Sequence, residues 1–173
     1  YNLGQGGLSL PEREYYFKSD STTNNIRNEY VKYMTKILTM AGEDANAAAT
    51  AARNILVLET KLATASRKIE DLRDPYKNYN KMAITDLGKM AGNIDWVSYL
   101  KNTGVQKVDS VIVGQPEFFT ALNDALTKTP ISDWKQYVKF NLISDMAAVL
   151  PDAYGNAAFE FGRLFSGAKV RKP

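Results

Sequence analysis

Apolar residues recur through residues 25–41 at Ile26, Tyr30, Tyr33, Met34, Ile37, Leu38 and Ala41. Steps of four, three and one place them on one stripe of a 3.6-residue helix, with Gly42 suited to end it in the left-handed conformation. A second long helix is predicted over residues 43–66. It opens with acidic residues that suit the positive end of a helix, is alanine-rich at first, and then presents Ile55, Leu58 and Leu62. Small alanine side chains let a neighbouring helix approach closely. Asp74-Pro75 breaks the pattern, because the residue before proline avoids the α region.

Shorter elements follow. Residues 76–92 read as a loop and a short helix over 84–90, and Asn93 or Asp95 caps another that holds Trp96, Tyr99 and Leu100 and stops at Gly104. Residues 108–113 are the one strand candidate, and a strand needs a partner from a short segment elsewhere or from further chain. Pro116 starts a helix through Phe118, Phe119, Leu122 and Leu126, halted at Pro130. Ser132 is expected to cap the next, whose buried stripe would be Trp134, Tyr137, Val138, Leu142, Met146, Val149 and Leu150, up to a break at Pro151. The last helix carries Tyr154, Ala158, Phe161, Leu164 and Phe165 and ends at Gly167. Residues 1–10, with Gly4, Gly6 and Gly7, form an extended or looping entry, and Pro11 opens a short helix bearing Tyr15, Tyr16 and Phe17. The expectation is an all-α chain of about seven helices, a single multi-helix, bundle-like domain over residues 1–173 with at most a minor short strand.

Composition narrows the function classes. At 173 residues, 45% hydrophobic and 24% charged, the chain is globular in character and long enough to bury a substantial core. The net charge of +3 comes from scattered Lys and Arg, so no nucleic-acid partner is expected. The densest basic stretch, Lys169-Val170-Arg171-Lys172, lacks interleaved aromatics and reads as a solvated end. No apolar run is long enough to span a membrane. The start at Tyr1-Asn2-Leu3, without an initiator Met or signal sequence, reads as a piece of a longer gene product.

The chain has no histidine and no cysteine, leaving carboxylates, Lys, Tyr, Ser and Thr as catalytic groups. Gly4-x-Gly6 has the spacing of a dinucleotide loop, but Ser9 takes the last glycine position and no strand precedes it. Ser132-Asp133-Trp134-Lys135 matches Ser-x-x-Lys, yet neither Ser-Asp-Asn nor Lys-Thr-Gly accompanies it, and a helix cap explains the serine. Glu70, Asp71 and Asp74 beside Arg73 lack the regular oxygen spacing and central glycine of a calcium loop, so a turn with local ion pairs is preferred. Glu59 falls on the stripe of Ile55 and Leu62. A charge there must be paired or solvated, and an ion pair with Arg73 or another basic residue is favoured over a catalytic carboxylate. Tyr15, Tyr16, Tyr76, Tyr79 and Met82 form an aromatic-rich set, read as core ahead of a peptide groove.

Gln5-Gly6-Gly7-Leu8-Ser9-Leu10-Pro11-Glu12-Arg13-Glu14-Tyr15-Tyr16, followed later by Arg73-Asp74-Pro75 and Tyr79-Asn80-Lys81-Met82, resembles signature segments of the neprilysin family of zinc endopeptidases. Leu58-Glu59-Thr60-Lys61-Leu62-Ala63, Val111-Ile112-Val113 and Pro116-Glu117-Phe118-Phe119 occur in the order that family uses. Ser9 stands where the family commonly has glycine. The resemblance implies the gluzincin type of metallopeptidase, in which two helical lobes enclose a cavity and one lobe holds zinc on His-Glu-x-x-His. A chain without histidine cannot carry that motif. The resemblance therefore implies the non-catalytic lobe, which restricts access so that peptides are cleaved, and no catalytic, cofactor or metal residue is transferred. Zinc, the catalytic lobe and peptide substrates belong to the parent, with a bacterial envelope or exported location. Gly6, Gly7, Leu10, Pro11, Arg13, Tyr15, Tyr16, Glu59, Arg73, Asp74, Pro75, Tyr79, Asn80, Lys81 and Met82 are its signature positions here, with structural roles. The alternative is a stand-alone helical module that binds peptides or proteins without cleaving them. For a lobe, Leu3, Leu8, Leu10, Phe161, Leu164 and Phe165 would form the apolar surface left bare.

Overall fold

The computed structural model describes residues 1–105 and 107–171. It is mainly α, with eight α-helices and a small three-stranded sheet among the described residues. In order these are β1 (Asn2–Leu3), a 3-10 turn (Arg13–Tyr16), α1 (Ser21–Met40), α2 (Ala45–Ala65), α3 (Ile69–Leu72), β2 (Asn80–Ala83), α4 (Ile84–Met90) and α5 (Trp96–Asn102). Then come β3 (Ser110–Val113), α6 (Pro116–Lys128), α7 (Ile131–Asp145) and α8 (Asp152–Ser166). The chain divides into two compact units, one of residues 1–14 and 58–129, the other of residues 15–57 and 130–173. The dividing point between Val57 and Leu58 lies within α2.

The first unit holds the sheet, ordered β1-β3-β2, with β1 parallel and β2 antiparallel to β3. Val111 and Val113 point to the buried side of β3, as the two-residue period of a strand requires. The partners the strand needed are thus the first residues of the chain and Asn80–Ala83, a stretch expected to lie in a loop. In register, Asn80 faces Val113 and Met82 faces Val111. Leu3, Leu10, Leu58, Leu62, Leu87, Trp96, Leu100, Phe118 and Phe119 complete this core. Trp96 meets Phe119 edge-on at 5.8 Å, and its indole N–H donates to the Ala91 carbonyl at 3.0 Å. Leu3 and Leu10 therefore do not belong to any bare surface.

The second unit is built on α1, with α7 and α8 against it. Tyr30, Met34, Ile37 and Leu38 are fully buried, and the α1 stripe is the one the spacing predicts. The helix begins earlier than expected because Asp20 caps it, accepting from the Thr23 amide at 2.9 Å. Gly42, at φ 93°, follows its end. Tyr33 stacks on Phe161 at 5.0 Å and meets Phe140 edge-on at 5.6 Å, while its hydroxyl lies 2.8 Å from that of Ser144. Burial raises the Tyr33 pKa above its ordinary value. Asp44 caps α2 through the amides of Asn46 and Ala47, and buried Ala48, Ala51 and Ala52 line its early turns.

α7 departs from expectation. Pro130 occupies its N-cap, its carbonyl accepting from Asp133 and Trp134, so Ser132 lies inside the first turn and caps nothing. The residue α7 buries is Phe140, and Val138, Leu142, Met146 and Val149 are exposed. The stripe read from the sequence is largely the outer face. Replacing Phe140 with Ala is expected to cost about 3–5 kcal/mol. Leu142→Ala should stay within about 0.5 kcal/mol, as at ordinary surface positions. Urea unfolding of the two variants checks the assignment, and equal losses would reverse it.

Candidate functional site

Within the first unit, parts of the signature segments meet in a polar seam. Glu59, on α2, is fully buried, and its Oε1 accepts a hydrogen bond from the Ser9 hydroxyl at 2.7 Å. Ser9, the position that departs from the family's usual glycine, thus supplies a donor to a buried carboxylate. Of the basic partners considered for Glu59, Arg73 does not pair with it and is exposed at the end of α3. Nearness in sequence misled here, because the turn after α3 carries Arg73 outward.

Two residues beyond α2, Arg67 ties three stretches of chain together. Its Nε and Nη2 donate to the two carboxylate oxygens of Glu117, at 2.5 and 3.0 Å, the planar two-pronged pairing for which guanidinium is shaped. Its Nη1 donates to the Lys77 carbonyl at 2.8 Å and to Asn78 Oδ1 at 3.2 Å. Hydrogen bonding to Glu117 raises the Arg67 pKa further, and the same bond, from Arg67, holds the Glu117 carboxyl below its ordinary value of 4.5. The Gln5 side chain reads the backbone of Arg67, accepting from its amide at 2.7 Å and donating to its carbonyl at 3.0 Å.

Gln115 and Asn78 extend the seam. Gln115 Oε1 accepts from the Gln5 amide at 2.8 Å, and its Nε2 donates to Asn78 Oδ1 at 2.6 Å. Asn78 Nδ2 donates to the carbonyls of Asp71 and Asp74, at 2.8 and 2.6 Å. In the Arg73-Asp74-Pro75 segment, the Asp74 carboxylate accepts from the Tyr76 and Lys77 amides at 3.0 and 3.2 Å, closing an Asx-type turn. The local ion pairs expected there form with Lys77, 4.0 Å from Asp71 and 3.9 Å from Asp74. In β2 the Asn80 side chain donates to the Val113 carbonyl at 2.9 Å, clamping the β2–β3 pair.

The remaining signature residues scatter. Gly7 sits at φ 77°, a value that suits glycine, and Gly6 and Pro11 are exposed. Arg13 lies 3.9 Å from Glu14. The aromatic set is divided between the two units and is only partly core. Tyr16 is buried and Tyr15 and Met82 are half-buried, but Tyr76 and Tyr79 are 91% and 60% exposed. Lys81 is also exposed. At the C-terminal end Arg171 turns back to Asn156 at 2.9 Å, while Lys172 lies outside the described residues. A cavity of about 200 Å³ opens beside the seam between residues 5–13 and 66–72. Among the described residues no three His, Cys, Asp or Glu side chains converge as metal ligands. A donor set without imidazole or thiolate does not fit a tetrahedral zinc site. The polar groups of the seam around Arg67 hydrogen-bond to one another. Arg67, Asn78, Gln115 and Glu117 escaped the sequence reading as a group, since long-range polar pairs have no local period.

Two outcomes follow from this geometry. Ser9→Ala removes a hydrogen bond to a buried carboxylate and should cost about 1.5–3 kcal/mol in denaturant unfolding; no change in midpoint would mean that Glu59 does not depend on it. Because the folded-state pKa of Glu117 is depressed, its contribution is present above the ordinary glutamate value and is lost as pH falls through the lowered one. Glu117→Gln should therefore lower the melting temperature at neutral pH and flatten the acid limb of the stability curve. Parallel acid limbs for the two proteins would exclude this source of pH dependence.

The sequence matches Peptidase family M13, in its N-terminal region, over residues 1–173. It is 30% identical over 132 residues to Neprilysin-3 of Drosophila melanogaster, a stretch covering 73% of this chain and 17% of that protein. It is 24% identical over 184 residues to human Neprilysin, covering 96% and 24%. The zinc metalloprotease Zmp1 of Mycobacterium tuberculosis, in its open state, superimposes with a TM-score of 0.92 at 27% identity, over 99% of this chain and 27% of that one. PepO from Lactobacillus rhamnosis HN001 shares the fold, with a TM-score of 0.80 at 18% identity over 96% of this chain and 26% of that one. The chain thus spans about a quarter or less of the length of these relatives. Matched along every residue, the chain belongs to peptidase family M13.

Proposed function

We propose that residues 1–173 form a non-catalytic helical part of a zinc-dependent endopeptidase, serving in the lobe that restricts entry to the active-site cavity. One observation carries this reading. The family match runs the whole length of a chain that has no imidazole or thiolate with which to hold the metal. In the parent, zinc and its ligands would come from chain beyond these residues, and the partners of this part are the catalytic lobe and the peptides admitted to the cavity. The signature residues act here as braces, holding loops at fixed geometry around Arg67 and Glu59 rather than touching reacting atoms. An exported or envelope-bound parent, bacterial in origin, is in keeping with the likeness to a mycobacterial protease.

The test compares two proteins on one unstructured peptide. The parent polypeptide should cleave it in a chelator-sensitive way, whereas the 173-residue chain should neither cleave it nor retain stoichiometric zinc after dialysis. Cleavage by the short chain would overturn the assignment of a non-catalytic part. A parent gene product without zinc-dependent cleavage would instead favour a module that binds and does not cut.

A further inference from the structure

α7 is apolar on two opposite sides. Its inner side carries buried Phe140 with half-buried Tyr137 beside it, while half-buried Trp134, three residues from Ile131 and four from Val138, flanks the outer side. Its outer side carries Ile131, Val138 and Leu142, continued by Met146 and Val149 in the turns beyond the helix, with exposures of 70, 58, 63, 47 and 73%. These five are spaced by seven, four, four and three residues, the spacing of a single helical stripe. The backbone supports that continuity past Asp145, since the Met146 amide donates to the Leu142 carbonyl and that of Val149 to Met146. On α7 itself, from Ile131 to Leu142, the strip runs roughly 17 Å. Lys135 and Asp145 are the only exposed charges within it.

A helix whose apolar residues surround it is normally covered on both sides, whereas a surface helix shows one apolar stripe and one polar face. The second unit covers only the inner side, and its own core of Tyr30, Tyr33, Met34, Ile37 and Phe140 does not call on the outer strip. Contiguous apolar patches of this kind mark interaction surfaces. The chain that could supply a cover is long, because the matched region is only 27% of Zmp1 and 24% of human Neprilysin. We infer that the outer strip of α7, centred on Val138 and Leu142, is an internal docking surface covered in the parent by an apolar segment of the same polypeptide outside residues 1–173. The inference rests on the reading of this chain as part of a larger peptidase. Of the surface expected to be bare, Leu3 and Leu10 are buried while Leu164 and Phe165 are exposed, and the strip adds a helix that had been expected to bury the same residues.

The chain has no cysteine, so Leu142→Cys introduces its sole thiol. In the 173-residue chain that thiol should react with a maleimide at nearly the rate of a free thiol. In the parent, with the labelled peptide located by mass, reaction should be slower by about tenfold or more, as for sites reached only through local opening. A second pair of measurements uses Val138→Glu combined with Leu142→Glu. The short chain should keep its melting temperature and lose binding of an apolar dye, while the parent should melt several degrees lower. Equal labelling rates in the two proteins, in a parent that still cleaves peptides, would overturn the docking surface and leave the peptidase reading intact. Protection that appears in the short chain with rising concentration, and is no greater in the parent, would make a second copy the occupant and also overturn it. A parent without zinc-dependent cleavage would defeat the peptidase reading whatever the labelling shows.

Discussion

The guanidinium of Arg67 presents its donors in one plane, and the loops of the first unit are set by the acceptors that plane requires. Four hydrogen bonds leave it, two to Glu117 at the start of α6 and two to the Lys77–Asn78 stretch before β2. Those acceptors come from places 10 to 50 positions away in sequence. Shifting any of them leaves a partly buried charge short of a partner, which costs more than the bond itself contributes. Gln5 adds a second constraint by pairing with the Arg67 backbone as a neighbouring strand would. The start of the chain is thereby fixed where β1 can add to β3, and the three-stranded sheet follows.

Within that frame Glu59 is the costliest group. A carboxylate without exposure must be compensated by its surroundings, and Ser9 brings a hydroxyl to it from the segment that Gln5 anchors. The two features reinforce each other. Holding Gln5 against Arg67 places the glycine-rich stretch, with Gly7 in its left-handed conformation, so that Ser9 reaches Glu59. Gln5, Gly7 and Ser9 of the signature run thus close the chain entry over α2.

Local order was legible in the sequence wherever a period or a cap carried it. The α1 stripe, the cap at Asp95, and the stops at Gly42, Gly104 and Gly167 each rest on one-dimensional signals that the structure reproduces. Residues 110–113 were also readable as a strand, but their partners were not. Two residues at Asn2–Leu3 are too few to show a period, and Asn80–Ala83 reads as well for a loop. Glu59 was visible as a problem because a charge broke an apolar stripe. One of its partners, Ser9, lies fifty positions away and leaves no local trace. The same reason hid Arg67, Asn78, Gln115 and Glu117 as a group.

α7 shows a different limit. Its apolar residues fit a helix whichever side is taken as core, so periodicity identifies the element without orienting it. The structure settles the orientation through Phe140, which meets Tyr30 and Tyr33 edge-on and is buried by them. What remains outside is a second stripe that this unit's core does not use. Isolated exposed leucines and valines are ordinary on any protein, but a continuous run carries a standing hazard of association. A net charge of only +3 offers little repulsion against it. The cover inferred for α7 would remove that hazard. A chain can therefore fold around a complete inner core and still carry, on the far side of the same helix, the mark of a larger molecule.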